Sequence, residues 1–244
     1  MMQHYWNNRI QILKGLRATG HASFSEQVNA MMYTIKLGKL DAILNILQMN
    51  DRELFILDLG CGIGFFTKYY VNLGFKVIAI DIAKSAIRFN QARNFPNVHL
   101  ILADASYLPL RNDMVQLVHE FDLSYHIVDN SLWKKHLKEV VRVLQNGGSL
   151  ILTEKKGITL PRGSYHVRFR PLNHYNEILG RKGMELQLID SIFLFFGTEN
   201  PCLAFIIRSI YNAIPKLAFI IERSATKLPS AFKRTVIYVF RKGS

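Results

Sequence analysis

Three carboxylates and a run of glycines carry the chemistry in this chain. Residues 57–64 read LDLGCGIG, with glycines at 60, 62 and 64 and Asp58 two residues ahead of the first. Asp81 closes the segment KVIAID, 21 residues after Gly60, and Asp104 closes VHLILAD. Closely spaced glycines let a backbone turn tightly and approach a ligand, and a helix starting just beyond them offers unpaired N–H groups. A carboxylate at the end of the following strand is placed to accept both hydroxyls of a ribose. The pattern therefore implies an adenosine-like nucleoside.

The spacing bears on which nucleoside. A dinucleotide fingerprint G-x-G-x-x-G, started at Gly60, needs a third glycine where Phe65 stands. A diphosphate is repelled by a carboxylate as close as Asp58, whereas an ammonium group is attracted to it. The ligand expected is one with an amino-acid tail, such as S-adenosylmethionine, and a nicotinamide dehydrogenase is disfavoured. A tight turn that binds nothing is the plainer alternative.

The elements that must position these residues can be read from apolar periodicity. Residues 1–50 read as a helical N-terminal cap, with helical spacing in LGKLDAILNIL. LFILDL, KVIAID, VHLILAD, MVQLVHE and SLILTEK read as strands, with IGFFTKYYVNLG and AKSAIRFNQAR as helices between them. SLWKKHLKEVVRVLQNGG reads as an amphipathic helix closed by its Asn-Gly-Gly, PLNHYNEILGRKG as a short helix, and MELQLIDSIFLF and TVIYVFRK as the last two strands. Strands alternating with helices imply an α/β fold: a Rossmann-like, seven-stranded, mostly parallel sheet with helices on both faces. Residues 51–244 form this domain, with a helical insertion at about 197–234 before the last strand, long enough for a connection to suggest a function.

The motifs LDLGCGIG, AIDIAKSAI, LADASYLPL, YHIVD and RVLQNGGSLIL, spread over roughly residues 50–155, resemble the class I S-adenosylmethionine-dependent methyltransferases of the type 11 group. The resemblance implies that Asp58 and the loop Gly60, Cys61, Gly62 and Gly64 hold the methionine part of the cofactor. It implies that Asp81 holds the ribose, that Ile82 packs on the adenine, and that Asp104, with Ala105 beside it, bonds the adenine amino group. Glu120 and Phe121 are expected to line the cofactor pocket. One departure is visible: the group's usual Phe-Asp pair before the fourth strand is Val115-Gln116 here.

Methyl transfer from a sulfonium is an in-line displacement of an already activated group, so the protein mainly positions the partners and excludes water. A hydroxyl acceptor benefits from a general base and a carboxylate acceptor does not. Histidine is the usual base near neutrality. His126, after the fourth strand, is the first candidate; His21, in TGHASFSEQ, and His166, in GSYHVRFRP, are the others. Each is also acceptable as an ordinary loop histidine. Arg168 and Arg170 share a face of an extended segment and are suited to clamp an anionic group of the acceptor, or are a solvated pair. Tyr5 and Trp6 open the chain before a helix; the resemblance implies an N-terminal aromatic lid over the cofactor, and docking of the terminus onto the core is the alternative.

The formal charge is +13, unevenly spread. Residues 1–154 hold 16 basic and 13 acidic side chains, and residues 155–244 hold 15 and 5. An anionic partner for the C-terminal part, or plain solubility, accounts for this. The stretch CLAFIIRSIYNAIPKLAFII is apolar but interrupted by Arg208, Pro215 and Lys216, so a spanning helix is rejected. What remains is an interfacial element in 203–234 touching an anionic membrane, or a pocket wall or dimer contact. Two cysteines without metal-type spacing, and no signal-peptide core at the start, suggest a cytoplasmic chain, peripheral to the inner face of the membrane if the insertion binds there. The expected acceptor is a small molecule, a glycan or a lipid-linked compound, methylated at oxygen. An RNA methyltransferase, or a protein that holds cofactor or lipid without turnover, are the rivals.

Overall fold

The computed structural model describes residues 2–155, 166–193, 201–225 and 235–243. Helix α1 (Met2–Ile12) and a 3-10 turn (Gly15–Ala18) lead into α2 (Glu26–Ile46), which Ser25 caps by accepting from the N–H of Val28, and a second 3-10 turn (Ser124–His126) follows the fourth strand. Strand β1 (Phe55–Leu59) passes through the glycine run into α3 (Phe65–Asn72), then β2 (Lys76–Asp81), α4 (Lys84–Gln91), β3 (Val98–Leu102) and β4 (Val115–Glu120). Helix α5 (Asn130–Val143), β5 (Leu144–Lys155), α6 (Leu172–Gly180), β6 (Met184–Ile192), α7 (Pro201–Ala213), α8 (Pro215–Ala225) and β7 (Thr235–Lys242) complete the order.

The seven strands form one sheet in the order β3-β2-β1-β4-β5-β7-β6. Strands β1 to β5 run parallel, and β7 runs antiparallel to both β5 and β6. Successive side chains of a strand point to opposite faces, and the two cores sort accordingly. Ile56, Val77, Leu117 and Ile151 join the core that includes α2, α3, α7 and α8. Leu57, Ile78, Val118 and Leu150 join the core shared with α5 and α6. The near-continuous apolar strands are the signature of a sheet covered on both sides.

Two boundaries differ from the periodicity reading. Helix α5 stops at Val143, and Leu144 already pairs with Val115, so the Asn-Gly-Gly lies within β5 and not at the end of the helix. The register slips between Val115 and Leu117, and Gly147, at φ 74°, supplies the backbone that the irregularity needs. The strand MELQLIDSIFLF is a strand as far as Ile192; its last two residues, and residues 197–200 and 226–234 of the insertion, lie outside the described residues.

Candidate active site

The strand order reverses between β1 and β4, both extended toward their C-terminal ends. In open parallel sheets this is where ligands bind. A cavity of about 490 Å³ opens here, within the usual size of small-molecule sites. Its walls include Gly60, Cys61 and Gly62 after β1, Asp81 and Ile82 at the end of β2, and Asp104 and Ala105 after β3. Phe121, Asp122, Leu123 and His126, which follow β4, close the far side, and Trp6 of α1 and Tyr33 of α2 cover it.

Asp81 is held rigidly. One carboxylate oxygen accepts the N–H of Gly62 at 2.8 Å and the other accepts that of Ala83 at 2.8 Å. Burial pushes its carboxyl up to about 6, against the pull of those two N–H groups. A desolvated carboxylate on a cavity wall, with lone pairs left over, suits a pair of donors such as a ribose diol. Asp104 accepts from the N–H of Ser106 at 2.7 Å, which fixes the turn that brings it to the wall.

Three of the residues expected at the cofactor do not line the cavity. Asp58 has the same strand parity as Ile56, so its side chain enters the core on the α3 side. There it accepts the hydroxyl of Thr67 at 2.5 Å and faces His119 Nδ1 at 3.3 Å. Glu120 has the parity of Val118 and runs under α5, where His136 Nε2 lies 2.7 Å away and both side chains are fully buried. Burial alone would lower His136, but the Glu120 carboxylate more than reverses this and raises it. Gly64 is needed for packing: it takes φ 74° at the start of α3, and the amide of Asn90 occupies the place of a Cβ. Gly62 is at φ 52°, and a Cβ there would stand 2.6 Å from Cγ2 of Thr19. The glycine run thus excludes side chains largely because other protein groups approach it.

His126 lies on the wall, its Nδ1 bonding the carbonyl oxygen of His166 at 2.8 Å. That acceptor fixes the proton on Nδ1 and leaves Nε2 with its lone pair. Burial takes its pKa down to about 4, only partly offset by the His166 carbonyl. Its ring stacks on that of His166 at 5.9 Å, and Trp6 meets it edge-on at 4.9 Å. His166 in turn stacks on Tyr5 at 5.0 Å. Tyr5 and Trp6 therefore place α1 over the cavity, and Asn7 ties the helix to Ser85 of α4.

The other candidates serve different ends. His21 is exposed, bonds Ser23 and packs on Phe24, outside the cavity wall. Arg168 donates its backbone N–H to the carbonyl of Tyr125, and Arg170 donates to the carbonyl of Ile127 and to Asn130 while lying over the Trp133 ring. The two arginines brace the connection from β4 to α5 and form no clamp on the cavity.

Asp122 was not found by sequence reasoning, although it directly follows Phe121. It adopts φ 61° and receives an ion pair from the buried Lys36 of α2. Burial would raise its carboxyl, but Lys36 outweighs burial and brings it down to about 2. Its N–H donates to Thr153 Oγ1 at 2.8 Å. A left-handed aspartate at a strand end, paired across to a helix, marks a built site. Tyr33 and Thr19, bonded to each other at 2.9 Å, were also missed, because a helical tyrosine looks like core.

The sheet order, with the glycine run and the carboxylates on this wall, is the Rossmann-like fold of the class I S-adenosylmethionine-dependent methyltransferases. Comparison with known proteins agrees: residues 56–148 match the family model described as Methyltransferase domain. A Mycolicibacterium smegmatis protein named for S-adenosylmethionine-dependent methyl transfer is 26% identical over 148 residues, 58% of this chain and 55% of that protein. The chain thus matches about half the length of that relative. A malonyl-[acyl-carrier protein] O-methyltransferase of Buchnera aphidicola is 27% identical over 75% of this chain and 72% of its own length. Among solved structures, a Galdieria sulphuraria chain proposed as a sarcosine dimethylglycine methyltransferase superposes with a TM-score of 0.61 at 19% identity, covering 90% of this chain and 91% of that one.

Proposed function

We propose that this chain transfers the methyl group of S-adenosylmethionine to a hydroxyl oxygen of a small-molecule, glycan or lipid-linked acceptor, with His126 as the general base. The observation that carries this reading is the state of His126. It is neutral at physiological pH, oriented by the His166 carbonyl, and stands on the wall of the cavity that Asp81 and Asp104 also line.

The donor supplies an electrophilic methyl on a sulfonium, which needs no further activation. The chain's residues do the rest. Asp81 would accept from the ribose and Asp104 from the adenine amino group, and Ile82 and Ala105 would flank the base. Cys61 and Gly62 frame the amino-acid end. Trp6 and Phe121 exclude water from the reacting centre, which strengthens each polar contact inside. His126 Nε2 takes the proton of the acceptor hydroxyl as the oxygen attacks. The relative that is an O-methyltransferase by name supports oxygen as the atom, and it favours a second reading in which the acceptor is a carboxylate. A carboxylate has no proton to lose, so that reaction would not need His126.

The test is transfer of labelled methyl into fractionated cell extract, which reports the acceptor class, RNA included. With the acceptor in hand, His126→Gln should lower kcat by roughly 10²- to 10⁴-fold, the range of a lost general base, with S-adenosylhomocysteine affinity kept. An unchanged kcat points to the carboxylate. No transfer into any fraction, from protein that binds S-adenosylhomocysteine, would leave a binding protein without turnover.

A further inference from the structure

Helices α7 and α8 contribute no residue to the cavity wall. Each is too short to cross a bilayer, and the pair is bent by 117° at the break before Pro215. Among the described residues no single helix is long and apolar enough to span a membrane. Yet the pair holds much of the exposed apolar surface of the molecule. Leu203, Phe205, Ile206, Ile210, Leu217 and Ile220 are 40–60% exposed, and Ile214 at the bend is 51% exposed.

The pair is nevertheless packed on the protein by its other side. Ile207 and Tyr211 of α7, and Ala218 and Glu222 of α8, are buried, and Tyr211 donates to Glu222 at 3.1 Å across the bend. On α7, Leu203, Ile206 and Ile210 follow one another at helical spacing and flank the buried stripe. The apolar face is thus wider than the face the protein uses. A monomeric surface seldom leaves such a patch bare without a partner for it.

The charges say which partner. Residues 201–225 carry three basic side chains, Arg208, Lys216 and Arg223, and one acidic one. That one, Glu222, is fully buried and bonded to Tyr211, so it contributes no exposed repulsion. Arg208 lies over the Phe205 ring at 5.4 Å and Arg223 over Phe219 at 5.7 Å. Cationic heads held along aromatic and aliphatic surface fit the boundary between acyl chains and anionic headgroups.

We infer that the α7–α8 pair is an interfacial docking surface for a membrane rich in anionic phospholipid. The exposed apolar row enters the acyl boundary, and Arg208, Lys216 and Arg223 meet the headgroups. The inference stands on its own and does not require methyl transfer. It does bear on the acceptor, because α7 is tied to the wall of the site. Asn212 accepts from the N–H of Ser25 at 2.7 Å and donates to the carbonyl of Ser23 at 3.2 Å. That segment runs back to Gly20, whose carbonyl accepts from Arg9 of α1, and to Thr19 in the cavity wall. A surface seated on lipid is therefore mechanically joined to the helix that covers the cavity.

The experiment is co-sedimentation of the full chain with vesicles of phosphatidylcholine alone and of phosphatidylcholine with a quarter phosphatidylglycerol. Wild type should pellet with the anionic vesicles, less with the neutral ones, and less again at high salt, because the headgroup attraction is screened over about 8 Å at physiological ionic strength. Phe205→Asp with Ile220→Asp changes two of the most exposed side chains and should cut partitioning by roughly tenfold or more, since it removes apolar burial. Circular dichroism of the variant should match wild type. Lys216→Glu, at an exposed position, should weaken binding to anionic vesicles only. Wild type left in the supernatant at low salt overturns the inference. So does a wild type that sediments as a dimer while the Phe205→Asp, Ile220→Asp variant is monomeric, which would assign the surface to a second copy of the chain. Equal binding of both variants and wild type to anionic vesicles would place the contact elsewhere.

Discussion

Protonating Asp81 should weaken cofactor binding in a defined pH window. Its carboxyl is held at about 6 in the protein without ligand, raised by burial from the ordinary carboxylate value. A ribose diol presents two donors, and only the ionised carboxylate can accept both while still accepting from Gly62 and Ala83. Binding at acid pH must therefore expel a proton. If only the ionised form binds, the apparent dissociation constant rises by about tenfold for each pH unit below 6, or about 1.4 kcal/mol per unit. His126 titrates near 4 and does not contribute in this window. The same shift has a consequence for stability. Because the folded value lies above the unfolded one, the fold favours the protonated acid, and this contribution is lost as pH rises from about 4 through about 6. Calorimetric titration with S-adenosylhomocysteine at pH 7.5, 6 and 5 measures the affinity, and repeating it in buffers of different ionisation enthalpy counts the protons released. Asp81→Asn should remove the pH dependence and weaken binding at pH 7.5 by roughly 1.5–3 kcal/mol, as for hydrogen bonds to a charged group. Affinity that stays flat from pH 7.5 to 5, or a slope that survives in Asp81→Asn, would refute the assignment of Asp81 to the ribose.

Two further outcomes are expected. Lys36→Met should destabilise the chain by about 2–3 kcal/mol in urea denaturation at neutral pH, somewhat under the usual loss for breaking a fully buried pair, because Asp122 keeps contact with the cavity. The depressed Asp122 value means that wild type holds this stability above the ordinary carboxylate range and loses it as pH falls through about 2, so the gap between the two proteins should narrow under acid. Trp6→Phe should abolish the change in tryptophan fluorescence on cofactor binding, since Trp6 lines the cavity while Trp133, the other tryptophan, is buried against Tyr175; a full signal in the variant would separate α1 from the site.

Local pattern carried most of the architecture. Runs such as LFILDL and KVIAID are apolar on both faces, and only a sheet covered on both sides tolerates that. Their alternation with amphipathic helices leaves few other topologies. The end of α5 was misread because Asn-Gly-Gly is a helix terminator in isolation. Pairing of Leu144 with Val115 captured it into β5, and no local signal announces a partner strand. In the site, Gly60, Gly62, Asp81 and Asp104 were legible because their types and spacing are dictated by turn geometry and strand length.

The surroundings of Asp58, Gly64 and Glu120 were decided only by tertiary structure. Spacing along the chain says that a carboxylate lies near the strand end, but not which way it points. Strand parity sends Asp58 toward Thr67 and Glu120 toward His136, and both partners come from distant elements. The pairing of Lys36 with Asp122 joins residues far apart in sequence, and so does the fixing of His126 by the His166 carbonyl. The sequence alone thus determined the sheet, the glycine turn and the carboxylates at the end of β2 and just after β3, because these follow from local sterics and hydrophobic periodicity. Which polar groups face the cavity, and in which protonation state, was decided by the folded structure, because burial and charge pairing are properties of neighbours in space.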